Sequence, residues 1–236
     1  MKTLAIDIGG TGVKALVLDA AGATLTERVR IETPRPATPD AILGVIAALA
    51  RQLGAYDRVS VGFPGVVVDG VVKTAPNLHE TWAEFALASV LTDILAQPVR
   101  VLNDAGVQGY AVIRGKGVEM LLTLGTGMGC ALYLDGRYVP NLELAHHPFK
   151  KGMTYEEYVG AAALDRVGKK KWNKRVRQVI DLVLPVWNPA RLYVGGGNAK
   201  HIRFEVPENV EVISNLAGLL GGIKLWENAE PRSAAP

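Results

Sequence analysis

The chain has 236 residues, 49% hydrophobic and 21% charged, with a formal net charge of +3; this is the balance of a soluble globular protein of one large domain or two small ones, and it permits a polyanionic ligand without requiring one. The longest apolar run, AILGVIAALA, falls far short of the ~20 residues of a membrane span. No basic-then-apolar leader precedes the first strand, and the single Cys130 excludes an internal disulfide framework and a cysteine-based zinc site, so a reducing cytoplasm is expected.

Leu4–Asp19, LAIDIGGTGVKALVLD, reads as strand, glycine turn, strand. Without Cβ atoms, Gly9, Gly10 and Gly12 let backbone N–H groups approach a ligand, so the turn can cradle phosphate oxygens. Asp7, at the end of the first strand, is placed to hold a hydrated Mg²⁺ against them. Gly10, Gly12 and Ala15 also fit the G-x-G-x-x-G/A dinucleotide pattern. That pattern needs a helix after its glycines, and VKALVLD is strand-like, so a nicotinamide site ranks below a hairpin phosphate loop. A tight hairpin with no ligand is the other reading.

A third strand-like stretch, Thr24–Thr33, leads through a Pro-rich link to a helix from Pro39 that Gly54 stops. Arg58–Gly65 is a buried strand entering a Gly/Pro loop, and Val66–Thr74 is a hairpin turning at Asp69-Gly70. Ala75–Trp82 is polar loop, Trp82–Leu95 helix, Pro98–Leu102 strand, and AGVQGYAVIRG a glycine-weakened helix. The first half is thus α/β with a mixed sheet. In the second half, Glu119–Gly136 repeats the strand, glycine turn, strand unit. Helices are expected over Tyr155–Gly168 and Trp172–Trp187, a strand into a glycine turn over Ala190–Asn198, and a closing helix over Asn215–Trp226, before a disordered tail, ENAEPRSAAP. Two halves that open alike suggest a duplicated fold with a cleft between the copies.

DIGGTG and LGTGMG each offer main-chain donors and a threonine hydroxyl, Thr11 and Thr126, the equipment phosphoryl transfer needs. Asn103-Asp104 follows a buried strand. A carboxylate there can take the proton of an attacking hydroxyl, and Asn103 can bond a neighbouring hydroxyl; an Asn-Asp helix cap fits equally, and one residue can do both. The adjacent His146 and His147 lack a spaced third ligand, so loop or sugar contact is favoured over a metal site. In KKKWNKRVR, Lys169–Arg177, the apolar positions Trp172, Val176, Val179, Ile180 and Val183 share one helix face. A solvated cationic face is the favoured reading; a track for an extended phosphate polymer, helped by Lys150 and Lys151, is the sharper one. A nucleic-acid role has no stacking platform or motif behind it.

DIGGTGVK, GFPGVV, APNL, LND, LGTGMG, ELAHH and VGGGN, in that order, resemble the ROK (repressor, ORF, kinase) sugar kinases, most closely the polyphosphate/ATP glucokinase group, from Leu4 to about Trp226. The resemblance implies an α/β, actin-like ATPase (ribonuclease H-like, duplicated) fold with a central cleft. Its domains are expected at 1–103 and 104–226, the last helix packing back on the first, with a tail over 227–236. It implies transfer of a phosphoryl group from polyphosphate or ATP, with Mg²⁺, to the 6-hydroxyl of glucose. By position, Asp104 matches the general base, and Asn77, Asn103, Glu143, His146 and Glu156 match sugar ligands. Asp7, Gly9, Gly10, Thr11, Lys14, Gly125, Thr126 and Gly127 match the phosphate loops, with Asp7 holding the metal through water. Gly196 and Gly197 match the turn bordering the nucleotide base. Ala145 stands where the family usually has Gly, which puts the sugar loop's position and sugar choice in question. FKKGMT replaces a Cys-rich zinc segment, so no structural zinc is expected. The chain starts at its first strand, with no DNA-binding extension ahead of it. A homodimer without nucleic-acid or membrane partners is expected. A hexose-sensing regulator without catalysis, or a kinase for another hexose such as mannose, is the alternative.

Overall fold

The computed structural model describes residues 1–213 and 219–227. The chain divides into two compact units, Met1–Ala111 with residues 219–227, and the residues from Val112 to 213.

The first unit is built on a five-stranded sheet of β1 (Thr3–Ile8), β2 (Val13–Leu18), β3 (Val29–Ile31), β4 (Arg58–Phe63) and β7 (Val99–Asn103), in the order β3-β2-β1-β4-β7. A small hairpin, β5 (Val67–Val68) and β6 (Val71–Val72), lies between β4 and β7 in the chain. β2 pairs antiparallel with β1 and β3, whereas β1, β4 and β7 run parallel. All six residues of β1 are buried, as a strand covered on both faces requires. Leu4, Ile6 and Ile8 meet Ile42, Ile46 and Leu49 of α1 (Pro39–Leu53) and Leu87 and Leu91 of α2 (Leu87–Leu95). On the alternate face, Ala5, with Leu16 and Leu18 of β2, packs on Leu219 and Ile223. α1 begins as the sequence predicts: Thr38 accepts a hydrogen bond from Ala41 N, Pro39 sits in the first turn, and Gly54 ends the helix at φ 81°.

The expected helix over Trp82–Leu95 starts later, at Leu87. Trp82 closes a 3₁₀ turn over Glu80–Trp82, its ring against Phe63 and Phe85 and its Nε1 donating to Ala37 O. Phe85 bridges to Val72 and Glu84 has a positive φ of 59°, which no helix accommodates. Within Thr24–Thr33 only β3 and an isolated bridge at Thr24 are extended.

The second sheet has the order β10-β9-β8-β13-β14, from β8 (Val118–Leu124), β9 (Met128–Leu134), β10 (Arg137–Val139), β13 (Arg191–Gly195) and β14 (Val210–Val212). Its directions repeat those of the first: an antiparallel trio, then parallel additions. A small hairpin, β11 (Pro148–Lys150) and β12 (Met153–Thr154), leads into α4 (Tyr155–Val159) and the long α5 (Ala161–Trp187). The helix expected over Tyr155–Gly168 breaks at Gly160, and Gly168, at φ 73°, interrupts α5 before the charge run. The run itself is helical from its first lysine. Trp172 is fully buried and donates to Val159 O at 2.7 Å, with Val176, Val179, Ile180 and Val183 beside it.

The units divide after Ala111, not after Asn103 as expected, because α3 (Asp104–Tyr110) packs on β4 and β7. Residues 219–227 form a 3₁₀ turn over Leu220–Ile223 and α6 (Lys224–Glu227). The expected start of the closing helix at Asn215, and tail residues 228–236, lie outside the described residues. Among the described residues no helix is long and apolar enough to cross a membrane.

Candidate active site

In each unit the sequence-flagged residues gather at the carboxyl ends of parallel strands, the edge at which open α/β sheets hold ligands. In the first unit β1 ends next to Asp7, β4 in the Phe63–Gly65 loop, and β7 at Asn103. Asp7 pairs across the hairpin with Lys14, whose Nζ donates to Asp7 Oδ2 at 2.8 Å. The ammonium therefore sits at the mouth of the glycine turn. The turn closes through Gly9 N to Gly12 O at 3.1 Å, Thr33 Oγ1 donates to Gly9 O, and Arg30 donates to Thr11 O at 2.6 Å. Arg30 is a support that sequence reasoning missed; only the β2–β3 register brings it there. Asn77 is exposed beside the turn, its Cβ 3.8 Å from where a Cβ on Gly10 would lie.

Of the readings left open at Asn103-Asp104, the cap falls to Asn103. Asn103 is the cap: its Oδ1 accepts from Gly106 N at 3.2 Å while Nδ2 donates to Gly65 O at 3.2 Å. Asp104 is the first helical residue, half-buried, with Oδ1 accepting from Ala105 N at 2.7 Å. Gly62 on β4 lies beneath it; a Cβ there would come 3.3 Å from Asp104 Cα.

The second unit gathers the other set. Gly125 N donates to Gly127 O at 2.9 Å, closing the second hairpin. Three elements hold its back. Ala161 N, at the start of α5, donates to Gly125 O and Thr126 O. Asn198, after Gly196-Gly197, donates through Nδ2 to Gly125 O at 2.9 Å and through its main chain to Leu124 O at 2.8 Å. Glu156 Oε2 accepts from Met128 N at 3.2 Å. A Cβ at Gly127 would lie 1.9 Å from Glu156 Oε2, so any side chain there would displace that carboxylate from Met128 N. Gly196 is required by its φ of 86° and by Leu124 O, 2.4 Å from where a Cβ would stand.

Glu143 and His146 flank the short turn Leu144–His146, Glu143 Oε2 lying 3.4 Å from His146 Nε2. Burial raises the Glu143 carboxyl above its usual range, His146 opposes this, and Glu156 adds to it, so Glu143, His146 and Glu156 act on one another electrostatically. His147 turns instead to Pro148 O at 2.8 Å and towards Tyr155. Ala145, the departure from the resembled pattern, buries its methyl in the core and seats the turn. Lys150 is on β11, and Lys151 follows it at φ 57°.

Among the described residues of the first unit, the carboxylate flagged for a metal, Asp7, stands at the mouth of the first glycine turn, with Lys14 on its Oδ2. That donor set fits Mg²⁺, which keeps most of its waters and is commonly held by one or two carboxylates together with substrate phosphates.

The ROK family model matches residues 3–140. The polyphosphate glucokinase of Mycobacterium tuberculosis (strain H37Rv) is 33% identical over 234 residues, spanning 92% of this chain and 88% of that protein. The structure of an inorganic polyphosphate/ATP-glucomannokinase from Arthrobacter sp. strain KM superposes with a TM-score of 0.86 and 32% identity, covering 95% of this chain and 97% of that one. A ROK family glucokinase from Streptomyces griseus, solved with glucose and AMPPNP, superposes at 0.76 with 22% identity over 95% and 99% of the two chains, a likeness of fold. The fold of all three structures is the actin-like ATPase fold, here with two sheets of matching topology.

Proposed function

The chain belongs to the ROK family, and on that premise we propose that it is a sugar kinase, specifically a glucokinase that transfers the terminal phosphoryl group of polyphosphate or ATP to the 6-hydroxyl of glucose. What carries the reading is one sheet edge in the first unit, where the glycine hairpin, Asp7–Thr11, follows β1 and the half-buried Asp104 follows β7, two parallel strands with β4 between them. Asp104 accepts the proton of the 6-hydroxyl as its oxygen forms the new bond to phosphorus. The bond from that phosphorus to the bridging oxygen breaks, and the leaving phosphate carries the electron pair away. In the first unit the main-chain N–H groups of Gly10 and Thr11, and in the second those of Thr126 and Gly127, are the proposed partners of the donor's oxygens, while Gly9 and Gly125 spend theirs closing the two turns. Lys14 adds a cation at the first hairpin. Asp7 would hold Mg²⁺ through water; when bound, the ion neutralises charge on the phosphoryl oxygens. Asn77, Asn103, Glu143, His146 and Glu156 are the proposed sugar ligands, and Gly196-Gly197 would border the base of ATP.

The test is the purified protein with glucose and polyphosphate, ATP or neither. Glucose 6-phosphate is expected with at least one donor. Asp104→Asn should lower kcat by roughly 10²–10⁴-fold while glucose affinity by calorimetry and the melting temperature stay near wild type. A variant with normal kcat removes Asp104 as the base. Hexose binding with no sugar phosphate formed would instead establish a sensing regulator, and faster turnover of mannose would reassign the sugar.

A further inference from the structure

The second hairpin leads directly to a cluster of cations that the linear sequence scatters. Asn198 is bonded to Gly125 O, and the 3₁₀ turn Ala199–His201 follows at once. That turn is pinned to α5 by one side chain. Asn173 Nδ2 donates to Lys169 O at 2.8 Å and to His201 O at 2.9 Å, and its Oδ1 accepts from Arg203 N at 2.7 Å. The main chain of Lys169 is thereby brought beside that of His201 and Arg203, and Lys169, Lys200 and Arg203 are all exposed. Arg203 Nη1 is further steadied by Lys200 O and Ile202 O, both at 2.7 Å. Partial burial, and the charges of Lys169, Lys200 and Arg203, hold the His201 imidazole below its ordinary range. Among the described residues no carboxylate forms an ion pair with any of these three cations.

Like charges drawn together without counter-charges destabilise a fold unless an anion sits among them. The solvated-face reading of the charge run suits Lys170, Lys171 and Lys174, which stand exposed on α5. Lys169 differs from them in place: Asn173 bonds its main-chain carbonyl and also the main chain of His201 and Arg203, about thirty residues further along the chain. Lys200 and Arg203 lie within five residues of Asn198, which bonds the second hairpin at Gly125 O. A nucleotide base is neutral and gains little from three cations. A phosphate polymer carries charge on every unit and gains from each.

We propose that Lys169, Lys200 and Arg203 form a subsite for the distal phosphates of an extended inorganic polyphosphate whose reacting end lies at the Gly125–Gly127 hairpin. This deepens the proposed kinase reading and rests on it. The test is the full-length protein with all three residues changed, Lys169→Gln, Lys200→Gln and Arg203→Gln, beside a charge-keeping control, Lys169→Arg, Lys200→Arg and Arg203→Lys. Each is assayed with long-chain polyphosphate, tripolyphosphate and ATP, and direct binding of long-chain polyphosphate is measured against salt. The glutamine variant should raise KM for the long chain about tenfold and flatten the salt dependence of its binding, by ~0.7 in log–log slope per cation lost. Its kcat, its KM for ATP, tripolyphosphate and glucose, and its melting temperature should stay within twofold or a few degrees of wild type; the control should behave as wild type. Unchanged long-chain KM and salt slope in a wild type that does use polyphosphate overturns the subsite alone. A wild type that phosphorylates glucose with ATP but neither uses nor binds polyphosphate overturns the subsite and the polyphosphate donor, leaving the kinase. Absence of turnover with every donor overturns the kinase reading.

Discussion

Glu143 is held where its charge is costly. Desolvation and the neighbouring Glu156 raise its pKa, against the pull of His146. A carboxyl whose folded-state pKa is raised adds stability while it is protonated, below the unfolded value of about 4.3. That stability is lost as pH rises through the higher folded value. Glu143→Gln, which carries no charge, should therefore melt above wild type at pH 7, with the gap closing towards pH 4, while glucose binds more weakly. Thermal melts at the two pH values with calorimetric titration check this; a gap independent of pH would show that desolvation of the carboxylate is not the cause. Nearby Cys130 is buried and its thiol pushed up to about 12, so it packs as an apolar side chain in this range. At this scale the sequence was readable where a motif fixes a turn, as at the two glycine hairpins closed by Gly9 N and Gly125 N. It left the cap open at Asn103-Asp104 because either side chain can accept from a helix start, and only the bonds of Asn103 to Gly106 and Gly65 assign it.

The short helix α4 bears more than its five residues suggest. Its second residue, Glu156, holds Met128 N of the phosphate hairpin, and its start is secured by a reciprocal cap: Thr154 Oγ1 accepts from Glu157 N, and Glu157 accepts from Thr154 N at 2.8 Å. Thr154→Ala should cost about 1 kcal/mol in a denaturant melt and raise the glucose KM through Glu156. Loss of stability without a change in KM would separate the cap from the sugar site. Strands β1, β2, β8 and β9 were legible because apolar alternation and paired glycines mark both ends of each hairpin. α1 was legible because Pro39 and Gly54 punctuate it. The start of α2 was not, because Trp82–Phe85 has helical composition yet spends Phe85 on a bridge to Val72. Nor was β14: VEV is too short to announce itself and becomes a strand only beside β13. The cation cluster was hidden for the same reason, since Asn173 joins segments distant in sequence.

The two sheets share one strand order, yet the first is finished by residues from the far end of the chain. Trp226 lies between Arg58 and Arg100, whose guanidinium carbons are 5.1 and 4.2 Å from its ring, and its Nε1 donates to Ser60 Oγ at 2.9 Å. Ser60 in turn donates to Gly222 O at 2.7 Å. Burial, and after it the charge of Arg58, lowers the Arg100 pKa from its ordinary value, and the Trp226 ring offers both guanidiniums a π face. Trp226→Ala should cost about 3 kcal/mol, or ~6–12 °C in melting temperature, and an unchanged melt would show that this anchor carries little. Among the described residues Ala5, Leu16 and Leu18 form one buried cluster with Leu219 and Ile223. At a synthesis rate of 5–20 residues per second, the ribosome delivers the last two roughly 5–20 s after it has finished the first unit's last helix. Until then the nascent sheet shows one bare apolar face, which makes the earliest-made half of the molecule the one most in need of a chaperone.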